Sequence, residues 1–496
     1  MALPDLPPRS DTQLGDLDPE ELRRHGHAAV DWIADYLAGI ESRRVLPEVA
    51  PGALIAQVPS SPPSQPEALE RILADVDALV MPGITHWQSP GFFAYFASTA
   101  SVPGILGEML TAALSVNAML WRTSPAATEL EQVAVDWLRQ MLGLPAPLFG
   151  VINDTASSST LYALAAARES IPGAHIRRDG LSGRADLARL RYYASEEAHS
   201  SVEKAGIVLG TGTQGLRRIA VDDALRMDSE ALAEAIREDR ANGWLPFAVV
   251  ATAGTTSTAS VDPVPAIAAI SEREGLWLHV DAAYGGAAAT VPELRAVLDG
   301  CERADSLVVN PHKWLFTPMD CSVLYTRRQA GLRNAFSLVP DYLTTATDGE
   351  PSVTNLMDYG TSLGRRFRAL KLWMVLRAFG TEGIAARIRE HVRVARQLAS
   401  SVEATPGWEL LAPASLSVVC MRAHPSSVDD EAALDDLNAR IIDAVNARGR
   451  FFISHTKVRG RYAIRVAVNG VRTEERHVRA LWEEMRGVAD STAPAP

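Results

Sequence analysis

Only three cysteines occur in 496 residues, Cys301, Cys321 and Cys420. None stands at the spacing of a metal-ligand set or a redox pair, so all three are expected to be reduced core residues. Long apolar runs are missing too. No stretch approaches the length that crosses a bilayer, and residues 1–11 lack the basic and apolar zones of a signal peptide, which predicts a cytoplasmic protein outside the membrane. Positive charge is in deficit. The formal net charge of −12 argues against nucleic acid and anionic membrane as partners, since both are bound through clustered Lys and Arg. No internal repeat is present, and no metal is expected: His25 and His27 are two apart on a predicted helix and do not share a face.

What is there is an ordinary globular composition, 47% hydrophobic and 22% charged, in a chain long enough for two or three domains. Asp18-Pro19-Glu20-Glu21 predicts a helix start, with a capping residue, a first-turn proline and acids near the positive helix end. Leu22, Val30, Ile33, Tyr36, Leu37 and Ile40 follow as one apolar stripe. That stripe fits an arm lying on a partner subunit and a helix packed on its own domain equally well. Residues 46–66 carry six prolines and read as an extended connector. Residues 67–80 read as helix, and the N-terminal segment is expected to comprise residues 1–88.

Between residues 89 and 366, helical stretches alternate with short apolar runs at 191–194, 247–252, 277–280, 307–309 and 322–325. This alternation predicts an α/β domain with a mainly parallel sheet, helices on both faces and a ligand site beyond the carboxyl ends of the strands. Residues 364–400 read as a long solvated helix joining two domains. Strands at 416–421, 451–454 and 462–468 with helices at 430–447 and 472–488 make residues 367–496 a small α+β domain. Gly210-Thr211-Gly212-Thr213-Gln214-Gly215 fits a dinucleotide-binding pattern, yet residues 216–221 read as a strand where that fold requires a helix. It is expected to be a loop.

The chemistry is concentrated around Lys313. It lies between two apolar runs and is flanked by His312 and Trp314. A lysine buried there is driven toward its neutral amine, and the commonest use of such an amine is condensation with a carbonyl compound, pyridoxal phosphate included. Asp281 closes the run Leu276-Trp277-Leu278-His279-Val280 and precedes Ala282-Ala283-Tyr284-Gly285-Gly286. A carboxylate at a strand end is what a pyridine ring nitrogen needs to keep its proton. Asn153-Asp154-Thr155-Ala156-Ser157-Ser158 opens a predicted helix, whose first amides suit a phosphate.

These residues resemble the pyridoxal-phosphate-dependent group II decarboxylases, and within them the aromatic-L-amino-acid decarboxylases. The resemblance rests on Asn310-Pro311-His312-Lys313-Trp314, His279 to Tyr284, Ala198-His199-Ser200-Ser201-Val202-Glu203, Leu363-Gly364-Arg365-Arg366-Phe367-Arg368-Ala369-Leu370-Lys371 and Pro82-Gly83-Ile84-Thr85-His86-Trp87. The motifs occur in the family's order across roughly residues 17–487.

The resemblance implies the aspartate-aminotransferase-like fold (fold type I of the pyridoxal-phosphate enzymes) and a homodimer with shared active sites. It places pyridoxal 5'-phosphate on Lys313 and Asp281, its phosphate on Ala156 and Ser157 with Asn310 and His312, and further contacts at Thr256 and Ala283. His199 would stack on the cofactor and reach the substrate carboxylate. Tyr342, in a loop that continues to residue 351, would return a proton to Cα. An aromatic substrate is expected against Ile84, Thr85, Trp87, Phe92 and Phe93, with Gly364 opposite. The implied activity is decarboxylation of an aromatic L-amino acid of the Trp, Phe, Tyr or DOPA class. An aldehyde synthase is the alternative enzyme, though Tyr342 favours plain decarboxylation. Asp154 and Ser158 depart from the family, which usually has a small residue and a glutamate there. An acid beside a phosphate dianion is unfavourable unless it points away, so a catalytically impaired paralogue is the third reading.

Overall fold

The computed structural model describes residues 16–146, 148–338 and 353–492. The chain divides between His86 and Trp87 into two compact units.

In the first unit Asp18 caps the helix Pro19–Ala38, its carboxylate accepting from the amides of Glu20 and Glu21. No residue of this helix is buried. A second helix, Leu69–Asp75, continues as a wider π turn, Val76–Val80. Trp32 Nε1 donates to Asp77 Oδ1 at 2.9 Å and ties the two helices together.

The second unit is built on a seven-stranded sheet. Its strands are β1 (Phe149–Asn153), β2 (Leu190–Ser195), β3 (Leu216–Ile219), β4 (Leu245–Thr252), β5 (Trp277–Asp281), β6 (Ser306–Val309) and β7 (Ser322–Thr326). Their spatial order is β1-β7-β6-β5-β4-β2-β3. Pairing is parallel from β3 through β6, and β7 lies antiparallel between β6 and β1. Two reversals leave β1 running with the parallel strands, so its carboxyl end lies on the same edge as theirs. β1 was not legible as a strand, being short, glycine-containing and adjacent to a helix start.

Side chains along the strands alternate between two cores. Val249, Ala251, Leu278 and Val280 face helices Pro125–Met141, Ser229–Ala241 and Val264–Glu274. Ala248, Val250 and Trp277 face helices Ala156–Glu169 and Ser201–Val208. Burial on both faces explains why these strands read as unbroken apolar runs. The glycine-rich stretch at 210–215 is a turn leading into β3, as the strand expected after it suggested, with Gly210 and Gly212 at φ 83° and 68°.

A second sheet, antiparallel throughout, contains β8 (Trp408–Leu410), β9 (Val418–Ala423), β10 (Ser454–Val458) and β11 (Arg461–Ala467) in the order β10-β11-β9-β8. Helices Glu431–Arg448 and Glu475–Thr492 pack on it. The apolar run at 451–453 precedes β10 instead of forming it, because apolar composition there marks burial against Phe93 and its neighbours. The helix Arg368–Glu403 corrects a second expectation, for it is not solvated. Leu372 and Leu376 enter the large core, Leu398 and Val402 the small one, and the helix bends between them at Gly380, φ 62°.

Candidate active site

The carboxyl edge of the large sheet gathers Thr252 at the end of β4, Asp281 at the end of β5 and Asn310 just past β6. Thr252 and Asp281 are register partners. The loops leaving β4 and β5 touch, Gly285 N donating to Ala253 O at 3.2 Å. A Cβ at Gly285 would lie 2.4 Å from that carbonyl oxygen, so only glycine fits. Around this edge is a cavity of about 160 Å3, lined by Thr155, Ala156, Ser157, His199, Thr256, Asp281, Ala283, Asn310, His312 and Lys313, together with Phe96, Thr252, Gly254 and Tyr284.

Lys313 is half-buried, and its amine lies 5.3 Å from the centroid of the Phe96 ring. Desolvation lowers its pKa; Asp281 pulls the other way and Arg465 adds to the lowering. Asp281 is buried, and its Oδ1 accepts from Ala283 N at 3.1 Å. His312 Nδ1 accepts from Cys321 N at 2.9 Å, which leaves Nε2–H as the donor of the neutral ring. Burial and the neighbouring Lys313 lower the His312 pKa to about 4. His199 Nδ1 accepts from Ser201 N at 3.2 Å, which again makes Nε2 the donor. Desolvation of the His199 ring lowers its pKa although the residue as a whole remains exposed, and Asp281 opposes that lowering.

Ala156 and Ser157 open a 14-residue helix, and the first amides of a helix have no acceptor within it. Asp154 turns its carboxylate back onto Thr155 N, Oδ1 accepting at 2.7 Å. It lines a separate small cavity with Arg365 and Arg368 and not the one around Lys313. The acid therefore points away from the proposed phosphate position. Two buried oxygens at the cavity have no partner among the described residues, Asn310 Oδ1 and Thr252 Oγ1. Unsatisfied polar atoms beside a desolvated lysine, a buried carboxylate and open helix amides fit a ligand carrying a carbonyl, a basic nitrogen and an anion.

Residues 51–424 match the pyridoxal-dependent decarboxylase conserved domain. This chain belongs to the pyridoxal-dependent decarboxylase family. An aromatic-L-amino-acid decarboxylase of Sus scrofa is 41% identical over 486 residues, 95% of this chain and 97% of its own. A phenylacetaldehyde synthase of Arabidopsis thaliana is 41% identical over 475 residues, 94% and 95% of the two chains. The crystal structure of Oryza sativa TDC with PLP and tryptamine superposes with a TM-score of 0.93 at 38% identity, over 97% of this chain and 99% of that one. The fold is that of the type I pyridoxal-phosphate enzymes, and pyridoxal phosphate is the family's cofactor.

The expected substrate residues are more scattered in this decarboxylase. Phe92 and Phe93 are buried in packing against Phe452 and Phe451, and the phenylalanine on the cavity wall is Phe96. Trp87 stacks on Phe92 at 4.3 Å and does not line the cavity. Gly364 borders the neighbouring cavity that holds Asp154. Ile84, exposed, and Thr85, half-buried, belong to the first unit. Tyr342 lies outside the described residues. Phe96 went unnoticed in the sequence, whereas Thr252 and Tyr284 sit at or just past strand ends, where the parallel-sheet rule directs attention.

Proposed function

We propose that this chain is a carboxy-lyase converting aromatic L-amino acids to arylalkylamines and CO2. The observation that carries the reading is the pairing of a desolvated Lys313 with the buried Asp281 in a cavity walled by Phe96 and Tyr284, two rings stacked at 3.6 Å. Lys313 would hold pyridoxal phosphate at its carbonyl carbon and Asp281 at its ring nitrogen. Ala156 and Ser157, with Asn310 and His312, would hold its phosphate, and Thr256 and Ala283 would contact it. When bound, the cofactor supplies a protonated ring that takes up the electron pair left as CO2 departs.

The protein groups do the rest. A neutral Lys313 is a nucleophile, whereas its ammonium is not. Asp281 keeps negative charge where the ring nitrogen must stay protonated. His199 offers Nε2–H to a carboxylate at the cavity mouth. Phe96, backed by the stack of Tyr284 and Trp314, presents apolar surface to an aromatic side chain. Tyr342 is assigned the return of a proton to Cα from the resemblance of its loop.

An aldehyde synthase is the second reading, favoured by the 41% identity to a protein of that name. A homodimer is supported by the exposed apolar side chains Val102, Leu106, Met109, Leu110 and Leu114 along helix Val102–Leu114, and sedimentation velocity tests it. No helix among the described residues is long and apolar enough to cross a membrane, and three free, buried cysteines suit a cytoplasmic setting. The deciding experiment is Lys313→Ala incubated with Trp, Tyr, Phe and DOPA while CO2 and amine are measured. Loss of turnover and of the visible absorbance of retained cofactor is expected. Retained turnover rejects the assignment.

A further inference from the structure

Arg465 is a buried cation with no acid to answer it among the described residues. It stands on β11, 3% exposed. Its Nε donates to Thr256 O at 3.1 Å and Ser257 O at 3.0 Å, and its Nη1 to Tyr95 O at 2.6 Å. Nη2 is buried with no partner among the described residues. Among the described residues no carboxylate pairs with it, and burial keeps the neighbouring Cys420 thiol and Tyr284 phenol protonated and uncharged. Burying a guanidinium in this way is costly. Three carbonyl dipoles offset part of the cost, and a hydrophobic side chain would avoid it altogether.

The position of the charge suggests its use. The guanidinium carbon lies 4.6 Å from the centroid of the Phe96 ring, and Lys313 Nζ lies 5.3 Å from the same centroid. The groups facing the lysine amine are Asp281, Arg465, His199, His312 and Tyr284. Both histidines are held toward their neutral forms, and burial keeps the Tyr284 phenol protonated. Burial is the largest influence on the amine, and of the two charges that act on it Asp281 favours its ammonium and Arg465 opposes it.

We propose that Arg465 is a positioning residue for Lys313, its buried charge adding to desolvation in holding the lysine amine in the neutral, nucleophilic form and offsetting part of the pull of Asp281. The proposal rests on Lys313 being the reactive amine of the decarboxylase reading. It adds a residue from the small C-terminal sheet, remote in sequence, to the machinery of the large one.

The test is a titration of Lys313 in full-length protein freed of cofactor. The pH dependence of its reductive methylation is read by peptide mass spectrometry in the wild type, Arg465→Lys, Arg465→Gln and Arg465→Met. At an effective dielectric constant of about 20, unit charges about 10 Å apart move an amine by about one pH unit. The two uncharged variants should raise the Lys313 midpoint by about that much, a roughly tenfold loss of labelling below it. Arg465→Lys, which keeps the charge but cannot span three carbonyls, should stay near the wild type. Arg465→Met fills a similar volume and serves if the glutamine variant does not fold. An unshifted midpoint in a folded uncharged variant overturns the proposal, as does a lysine variant that shifts as far as the uncharged ones, which would make Arg465 a mechanical clamp. Neither cofactor nor substrate enters the measurement, so its failure is separate from failure of the decarboxylase reading.

Discussion

Replacing Glu131 by alanine isolates the ion pair that ties helix Pro125–Met141 to β1. Glu131 is 1% exposed, and its Oε1 accepts from Arg365 Nη2 and from Ile152 N, each at 2.8 Å. Arg365, 8% exposed, also donates to Ala118 O at 3.2 Å and Ile152 O at 2.7 Å. Glu131→Ala leaves a buried guanidinium without a counter-charge, which costs about 3–5 kcal/mol. It also leaves the Ile152 amide without an acceptor, about 1–3 kcal/mol more. Because the two groups share one oxygen, the expected total is about 4–6 kcal/mol. Replacing both charged residues by methionine removes the desolvation cost along with the attraction and should cost less than half as much. Urea unfolding of the cofactor-free protein, followed by tryptophan fluorescence and circular dichroism, measures both. A single-variant loss below about 1 kcal/mol, or a double variant no more stable than the single one, would refute the reasoning. Since β1 leads directly into Thr155, Ala156 and Ser157, pyridoxal phosphate should also bind more weakly to Glu131→Ala, as equilibrium dialysis can show.

Gly107→Ala would put a Cβ 2.6 Å from Lys371 Cα, where helix Val102–Leu114 meets helix Arg368–Glu403, and a loss of about 1–3 kcal/mol in urea unfolding is expected. Burial lowers the pKa values of His279, His312 and His391 to about 4 from the ordinary 6.5. The unfolded chain therefore takes up protons that the native state refuses, so stability is full above pH 6.5 and is lost as pH falls toward 4. His391→Asn, which keeps an acceptor for Trp314 Nε1, should flatten that fall in a series of urea midpoints. Tyr342→Phe should divert product from amine to aldehyde and peroxide; an unchanged product ratio removes Tyr342 from proton transfer.

Much was determined by the sequence alone. The Asp18 cap, the two-faced apolar strands and the placement of Asp281 and Lys313 at or beyond strand ends are local encodings. A cap needs only its next three residues, and a strand buried on both faces announces itself by composition. The turn reading of residues 210–215 held because the strand that follows is equally local. Tertiary structure alone decided which side chains meet at the carboxyl edge. Phe96 reaches the cavity wall while its neighbours Phe92 and Phe93 go into packing, because the chain's path there is set by contacts with Phe452 and Phe451, hundreds of residues later. The direction of the Asp154 carboxylate depends on one backbone amide and on arginines brought in from residues 365 and 368. Arg465 joins the neighbourhood of Lys313 only because the small sheet packs where it does, and no periodicity in a sequence records the distance between two charges that different sheets supply.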